Sequence, residues 1–130
     1  MTEKQKTWAV FSKYIRLRDA LRTTGTLTHA RCVSCQRVYP IEKLQAGHLV
    51  SRRHTSILFN EKNVHGQCMG CNVFQKGNWA GYYEQFIKLY GEDVLEELLI
   101  LRNIPKQFKK KELIELREQY QQKIKELNEN

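Results

Sequence analysis

The cysteines constrain this chain more than any other feature. All four fall into two pairs, Cys32-x-x-Cys35 and Cys68-x-x-Cys71. In a reducing compartment, two such knuckles read as one tetrahedral zinc site with four thiolate ligands, one zinc per chain. Two disulfides or a redox CxxC are the competing readings, and disulfides belong to oxidising compartments. The opening MTEKQKTWAV lacks the apolar core of a signal peptide, so the expected setting is cytoplasmic. The 32 residues between Cys35 and Cys68 exceed the spacing of a simple finger. An insertion must therefore emerge between the knuckles.

A chain of 130 residues is one domain by length, with a core small enough to benefit from a metal staple. Charged residues make up 28% and hydrophobic ones 41%, which excludes a disordered chain. No run approaches the roughly 18 apolar residues of a membrane span. The net charge of +8 is unevenly placed. Residues 1–65 hold 12 Lys/Arg against 4 Asp/Glu, whereas residues 66–130 hold 10 of each. A polyanion held against the N-terminal half is the expected partner, and nucleic acid is the first candidate.

Residues 3 to about 22 have helical periodicity, with Trp8, Phe11, Tyr14, Ile15 and Leu21 on the apolar side. A strand is expected around 37–39, another over 44–51 carrying His48, and a third over 63–67 running into Cys68. Cys71 then opens a helix of modest length, giving a ββα unit across the second knuckle. Helices follow over 79–90, 93–102 and 112 to about 127. The 93–102 segment is apolar nearly all round, which implies burial against its neighbours. The last helix carries Leu113, Leu116, Tyr120, Ile124 and Leu127, either a docking stripe or a short coiled-coil seam. The expected division is 1–104 for the zinc-containing domain and 105–130 for a basic linker and C-terminal helix.

The chemistry concentrates in AGHLVSRRHTSILFNEKNVHGQCMGCN, residues 46–72. Cutting a phosphodiester needs a base for water and a metal to stabilise charge on phosphate and leaving oxygen. A neutral imidazole suits the base, and an oxygen donor on a facing element suits a hard cation such as Mg²⁺ or Mn²⁺. His48 sits on the first strand of the expected unit and Asn72 at the start of its helix. Asn63 can hydrogen-bond nearby backbone and fix the loop that aims His48.

His48, Asn63 and Asn72, separated by 15 and 9 positions, resemble the HNH endonuclease superfamily in its variant ending in Asn. Its zinc-knuckle branch carries C-x-x-C-N-x-x-x-K, matched here by Cys68, Cys71, Asn72 and Lys76. A narrower resemblance runs from about Trp8 to Arg102, in SKYIRLRDA, CVSC, AGHLVSRRH, NVHGQCMGCN and KGN…YY…LYG. These strings are similar to the NinG, or Rap, family of lambda-type phage recombination proteins. The resemblance implies a structure-specific endonuclease acting on branched DNA such as Holliday junctions and D-loops, inside a bacterial host cell. It also implies an α+β fold, a zinc-stapled ββα-metal unit among several helices, working as a homodimer.

Gly47 is the departure, because many HNH nucleases place Asp or His before the base to bind the catalytic metal. Three arrangements are open. His48 binds the metal itself with His54 or another group as base; or His65 fills the vacancy; or Asn72, waters and DNA phosphate hold the metal weakly. The favoured assignment is His48 as base with weak metal binding. Arg52 and Arg53 are expected phosphate contacts, joined by Arg16 and Arg18 on the first helix and by Lys76 and Asn78. His29 reads as surface, and Tyr83 and Phe86 read as core. The rival function is a non-catalytic zinc-dependent DNA-binding module assisting recombination.

Overall fold

In a computed structural model, which describes residues 1–129, the chain forms four helices and two antiparallel hairpins. Helix α1 (Glu3–Thr24) starts with a capping box, in which Thr2 and Gln5 bond each other's backbone N–H groups. It is the spine of the molecule. Phe11 and Ile15 are fully buried against Val64 and Tyr120, and each such side chain contributes about 2 kcal/mol by leaving water.

Strands β1 (His29–Arg31) and β2 (Val38–Pro40) form the ribbon of the first knuckle. β1 has no counterpart among the expected strands, and β2 runs through Pro40 instead of stopping at Tyr39. Strands β3 (Leu44–His48) and β4 (Val64–Cys68) pair from Leu44↔Cys68 to His48↔Val64. Alternation along these strands divides their side chains between two faces. Ala46, His48 and Val64 face α1. Gln45, Gly47, His65 and Gln67 take the other face, toward the second knuckle and helix α2 (Trp79–Tyr90). The strand expected over 44–51 stops at His48, because Val50 bonds the Asn63 side chain instead of a neighbouring strand.

The helix expected after Cys71 is a single π-helical turn, Gly70–Phe74, closed by Gln75 N–H donating to the Gly70 carbonyl at 2.9 Å. Such turns are rare and are often found at functional sites. Helix α3 (Glu92–Leu101) follows α2, but its burial is one-sided. Leu98 is buried with Tyr82, Phe86 and Val50, while Ile100 is 67% exposed. The all-round burial expected of this segment is therefore not met.

Helix α4 (Lys110–Glu129) packs along α1, so its apolar stripe is used within the chain and is not a free coiled-coil seam. Leu113 and Tyr120 are buried, and Thr7 donates its hydroxyl to the Leu113 carbonyl at 2.8 Å. Arg117 pairs with Glu3 at 2.9 Å, and Lys123 with Glu61 at 3.0 Å. Helix α4 is thus packed as a layer on α1. No helix among the described residues is long and apolar enough to cross a membrane.

Candidate metal centres and nuclease-like site

The first knuckle turns at Gln36, a non-glycine residue with φ 66, and Cys32 N–H is tied to the Arg37 carbonyl at 2.8 Å. Val33 N–H donates to the Gly66 carbonyl at 2.9 Å, which fixes this knuckle to β4 and to the second. All four sulfurs converge, lying within 4.8 Å of one another, and none is in a disulfide. Zinc–sulfur bonds of about 2.3 Å in a tetrahedron set sulfur–sulfur edges of about 3.8 Å. Cys35 and Cys68 Sγ lie 3.9 Å apart, so the donor set fits one zinc ion. Cys68 N–H points at Cys32 Sγ (3.3 Å) and Cys71 N–H at Cys68 Sγ (3.4 Å), which favours thiolates there.

Asn78 Nδ2 also donates to Cys71 Sγ, at 3.4 Å, and its side-chain oxygen caps α2 by accepting from Gly81 N–H. The side chain expected to bind DNA is thus held at the knuckle through both ends of its amide. Arg16 and Arg18, also expected to meet phosphate, bond backbone carbonyls of this chain. Arg18 donates to the carbonyls of Glu61 (2.7 Å) and Val64 (2.8 Å), and Arg16 to that of Ile41 (3.2 Å). These carbonyls lie where regular pairing ends, and the guanidinium forks satisfy them. Beside Arg18, buried Asp19 pairs with Arg18 and Arg22 and accepts Gly66 N–H at 2.7 Å. Arg52, Arg53 and Lys76 remain exposed.

Asn63 is fully buried and makes the contacts expected of it. Its oxygen accepts Val50 N–H at 2.8 Å, and its Nδ2 donates to the carbonyls of Val50 (2.9 Å) and Ile57 (3.5 Å). The 49–63 loop is thereby pinned at both ends. That loop brings the Leu58 carbonyl to 3.0 Å from His48 Nε2. A carbonyl only accepts, so Nε2 carries the ring hydrogen and Nδ1 is the bare, basic nitrogen. Trp8 stacks on the ring, centroids 5.1 Å apart, and the Arg52 guanidinium lies 5.3 Å from the indole. Burial lowers the His48 pKa to about 4, against the Leu58 hydrogen bond, and Arg52 adds to the fall.

His65 is not a replacement metal ligand. It is fully buried in a chain of hydrogen bonds: Nδ1 is 2.9 Å from Tyr82 Oη, and Nε2 is 2.8 Å from Tyr90 Oη. Tyr82 spends its own proton on the Gly47 carbonyl at 2.7 Å. His65 Nδ1–H must then donate to Tyr82, and Tyr90 must donate to His65 Nε2. Burial pushes the His65 pKa down to about 3. His29 is exposed, and Phe86 is core as expected. Tyr83 is only half-buried, stacked on exposed Trp79 at 4.8 Å, and Tyr82 takes the core position.

Asn72 does not share a face with His48. Its Nδ2 donates to Gln45 Oε1 at 2.6 Å, on the side of the hairpin where a side chain at 47 would emerge. Gln67, fully buried, occupies that space: a Cβ added to Gly47 would lie 2.1 Å from Gln67 Oε1. Glycine inside a strand often marks such a close approach, and that signal was readable at Gly47. Gln67 Nε2 donates to Ser34 Oγ (2.8 Å) and to the Gly77 carbonyl (2.5 Å), while Oε1 has no hydrogen-bond partner among the described residues. The oxygens that Gln45, Gln67 and Asn72 bring to this face are amide oxygens, a donor set suited to a hard cation and weak without added negative charge.

Comparison with known proteins decides the family. The model of the family described as Bacteriophage Lambda NinG protein matches residues 2–130. The chain belongs to the NinG family. The match includes α4, beyond the Trp8–Arg102 stretch in which the resemblance was read. Protein ninG of Escherichia phage lambda is 30% identical over 97 residues, covering 74% of this chain and 47% of that protein. Protein ninG of Escherichia phage 933W is 29% identical with the same coverages, and that of Enterobacteria phage H19B is 30% identical over 99 residues. The chain thus spans about half the length of the curated relatives it matches. No solved structure matches it.

Proposed function

We propose that this NinG-family chain is a metal-dependent DNA endonuclease of HNH type. Its substrates are branched recombination intermediates such as Holliday junctions and D-loops, and paired cuts require a homodimer. The observation that carries this reading is the His48 ring: Leu58 holds Nε2–H, leaving Nδ1 deprotonated and without a hydrogen-bond partner among the described residues. That is the state a general base needs before it takes a proton from water. Asn63 fixes the loop that supplies Leu58. Arg52 and Arg53, exposed at the start of that loop, would hold phosphate. A bound Mg²⁺ or Mn²⁺ supplies neutralisation of charge on the phosphate and leaving oxygen. Asn72 would hold that ion through its free Oδ1. The zinc is structural, since four thiolates leave no open position.

The experiment is incubation of the zinc-loaded chain with Mg²⁺ or Mn²⁺ and three DNAs: a four-way junction, a D-loop and linear duplex. Metal-dependent cutting of the branched DNAs, with linear duplex spared, is the expected result. Tight junction binding without cutting under any metal would support the second reading, a non-catalytic zinc-dependent DNA-binding module. Gly47, which offers no carboxylate, is the observation that favours that rival.

A further inference from the structure

We propose that Gln67 supplies, through Oε1, the protein ligand to the divalent cation that Gly47 lacks. The inference rests on the nuclease reading and names what completes its metal site. Gln67 is two residues along β4 from His65, the cross-strand partner of Gly47, and its side chain leans back over that glycine. The amide is held one way round. Nε2 faces the Gly77 carbonyl, which only accepts, so the oxygen is forced toward Gly47. A buried amide oxygen without a partner is costly, and native interiors rarely keep one without a use.

The surrounding groups point the same way. Gln45, the cross-strand partner of Gln67, holds Asn72 through Nδ2, and Asn72 Oδ1 has no hydrogen-bond partner among the described residues. The amides run inward from half-buried Asn72 and Gln45 to fully buried Gln67. Mg²⁺ and Mn²⁺ take such oxygens, but two neutral donors bind them weakly until an anion joins the shell. A DNA phosphate is that anion. Replacing a carboxylate at position 47 by an amide from position 67 therefore makes metal loading depend on substrate. It also explains the glycine, because a side chain at 47 and this rotamer of Gln67 exclude each other.

The test is Mn²⁺ added in substoichiometric amounts to the isotope-labelled, zinc-loaded full chain, read by NMR. Paramagnetic broadening is expected first at the side-chain amides of Gln67 and Asn72, while the amide of Gln122 on α4 stays sharp. Sharp Gln67 signals when Asn72 is broadened, or no selective broadening at all, would overturn the proposal. In parallel, Gln67→Leu is expected to weaken Mn²⁺ binding at least tenfold by the signal of free Mn²⁺ in EPR, with one zinc retained. Unchanged affinity in a folded variant would also overturn it. The double variant Gly47→Asp with Gln67→Ala places a carboxylate in the vacated space and is expected to bind Mn²⁺ at least tenfold tighter than wild type. Cutting of junction DNA without broadening at Gln67 would remove this ligand and keep the nuclease. Broadening at Gln67 without cutting would keep the cation site and remove the nuclease.

Discussion

His48 donates its Nε2 hydrogen to the carbonyl of Leu58 at 3.0 Å, across a ten-residue loop. That contact fixes the tautomer, and burial holds the ring neutral with a pKa of about 4. A base with an ordinary histidine pKa would lose about eightfold in unprotonated fraction between pH 7 and 5.5. Here Nδ1 stays unprotonated over that range. The prediction is that kcat/KM, which reports the free enzyme, changes less than twofold from pH 7 to 5.5. An eightfold fall would assign the base to another group.

Acid acts on stability instead. His48 and His65 both have pKa values lowered in the folded chain, to about 4 and about 3, mainly by burial. The unfolded chain binds protons at these residues from about pH 6.5 downward, whereas the folded chain does not. Their contribution is fully present above that pH and is lost as pH falls toward 4. Urea denaturation between pH 6 and 4.5 should show unfolding coupled to the uptake of about two protons. Stability independent of pH across this window would mean both rings are hydrated.

Asn63→Ala should cost about 2–4 kcal/mol, because it strands Val50 N–H and two carbonyls in a buried setting. Thermal denaturation measures this directly. Loss of the loop anchor should also free His48 from Leu58, and the His48 ring resonances would then titrate closer to pH 6.5. A fully stable Asn63→Ala with an unmoved His48 would show that the loop holds itself.

Much of this was legible in the sequence, for identifiable reasons. The cysteine spacing brought the two knuckles together, and the periodicity of residues 3 to about 22 and 79–90 located α1 and α2. His48, Asn63 and Asn72 were found by pattern. The misreadings share a cause: charge and aromaticity do not tell where a side chain points. Arg16, Arg18 and Asn78 were read as phosphate contacts, yet each bonds a backbone or sulfur acceptor that only tertiary structure supplies. His65 and Tyr82 became core through a mutual hydrogen-bond chain. Gln67 carried no motif and became visible only through the β3–β4 register. Asp19 was hidden in the same way, as a lone carboxylate in a basic helix.

The C-terminal helix leads to a prediction about integrity rather than assembly. Because α4 covers Phe11 and Ile15 of α1, deleting residues 105–130 should lower the melting temperature sharply or prevent folding. Light scattering of any folded remainder should give the same number of chains per particle as the full-length protein. A stable truncated chain that has changed from dimer to monomer would return this helix to the interface.

The most direct measurement is single-turnover cleavage of an end-labelled four-way junction with Mn²⁺, comparing wild type with His48→Ala. Both chains should carry one zinc and bind the junction equally. The account predicts that His48→Ala loses about 10²–10⁴-fold in cleavage rate. Equal rates in the two chains, or no cleavage by either, would contradict it.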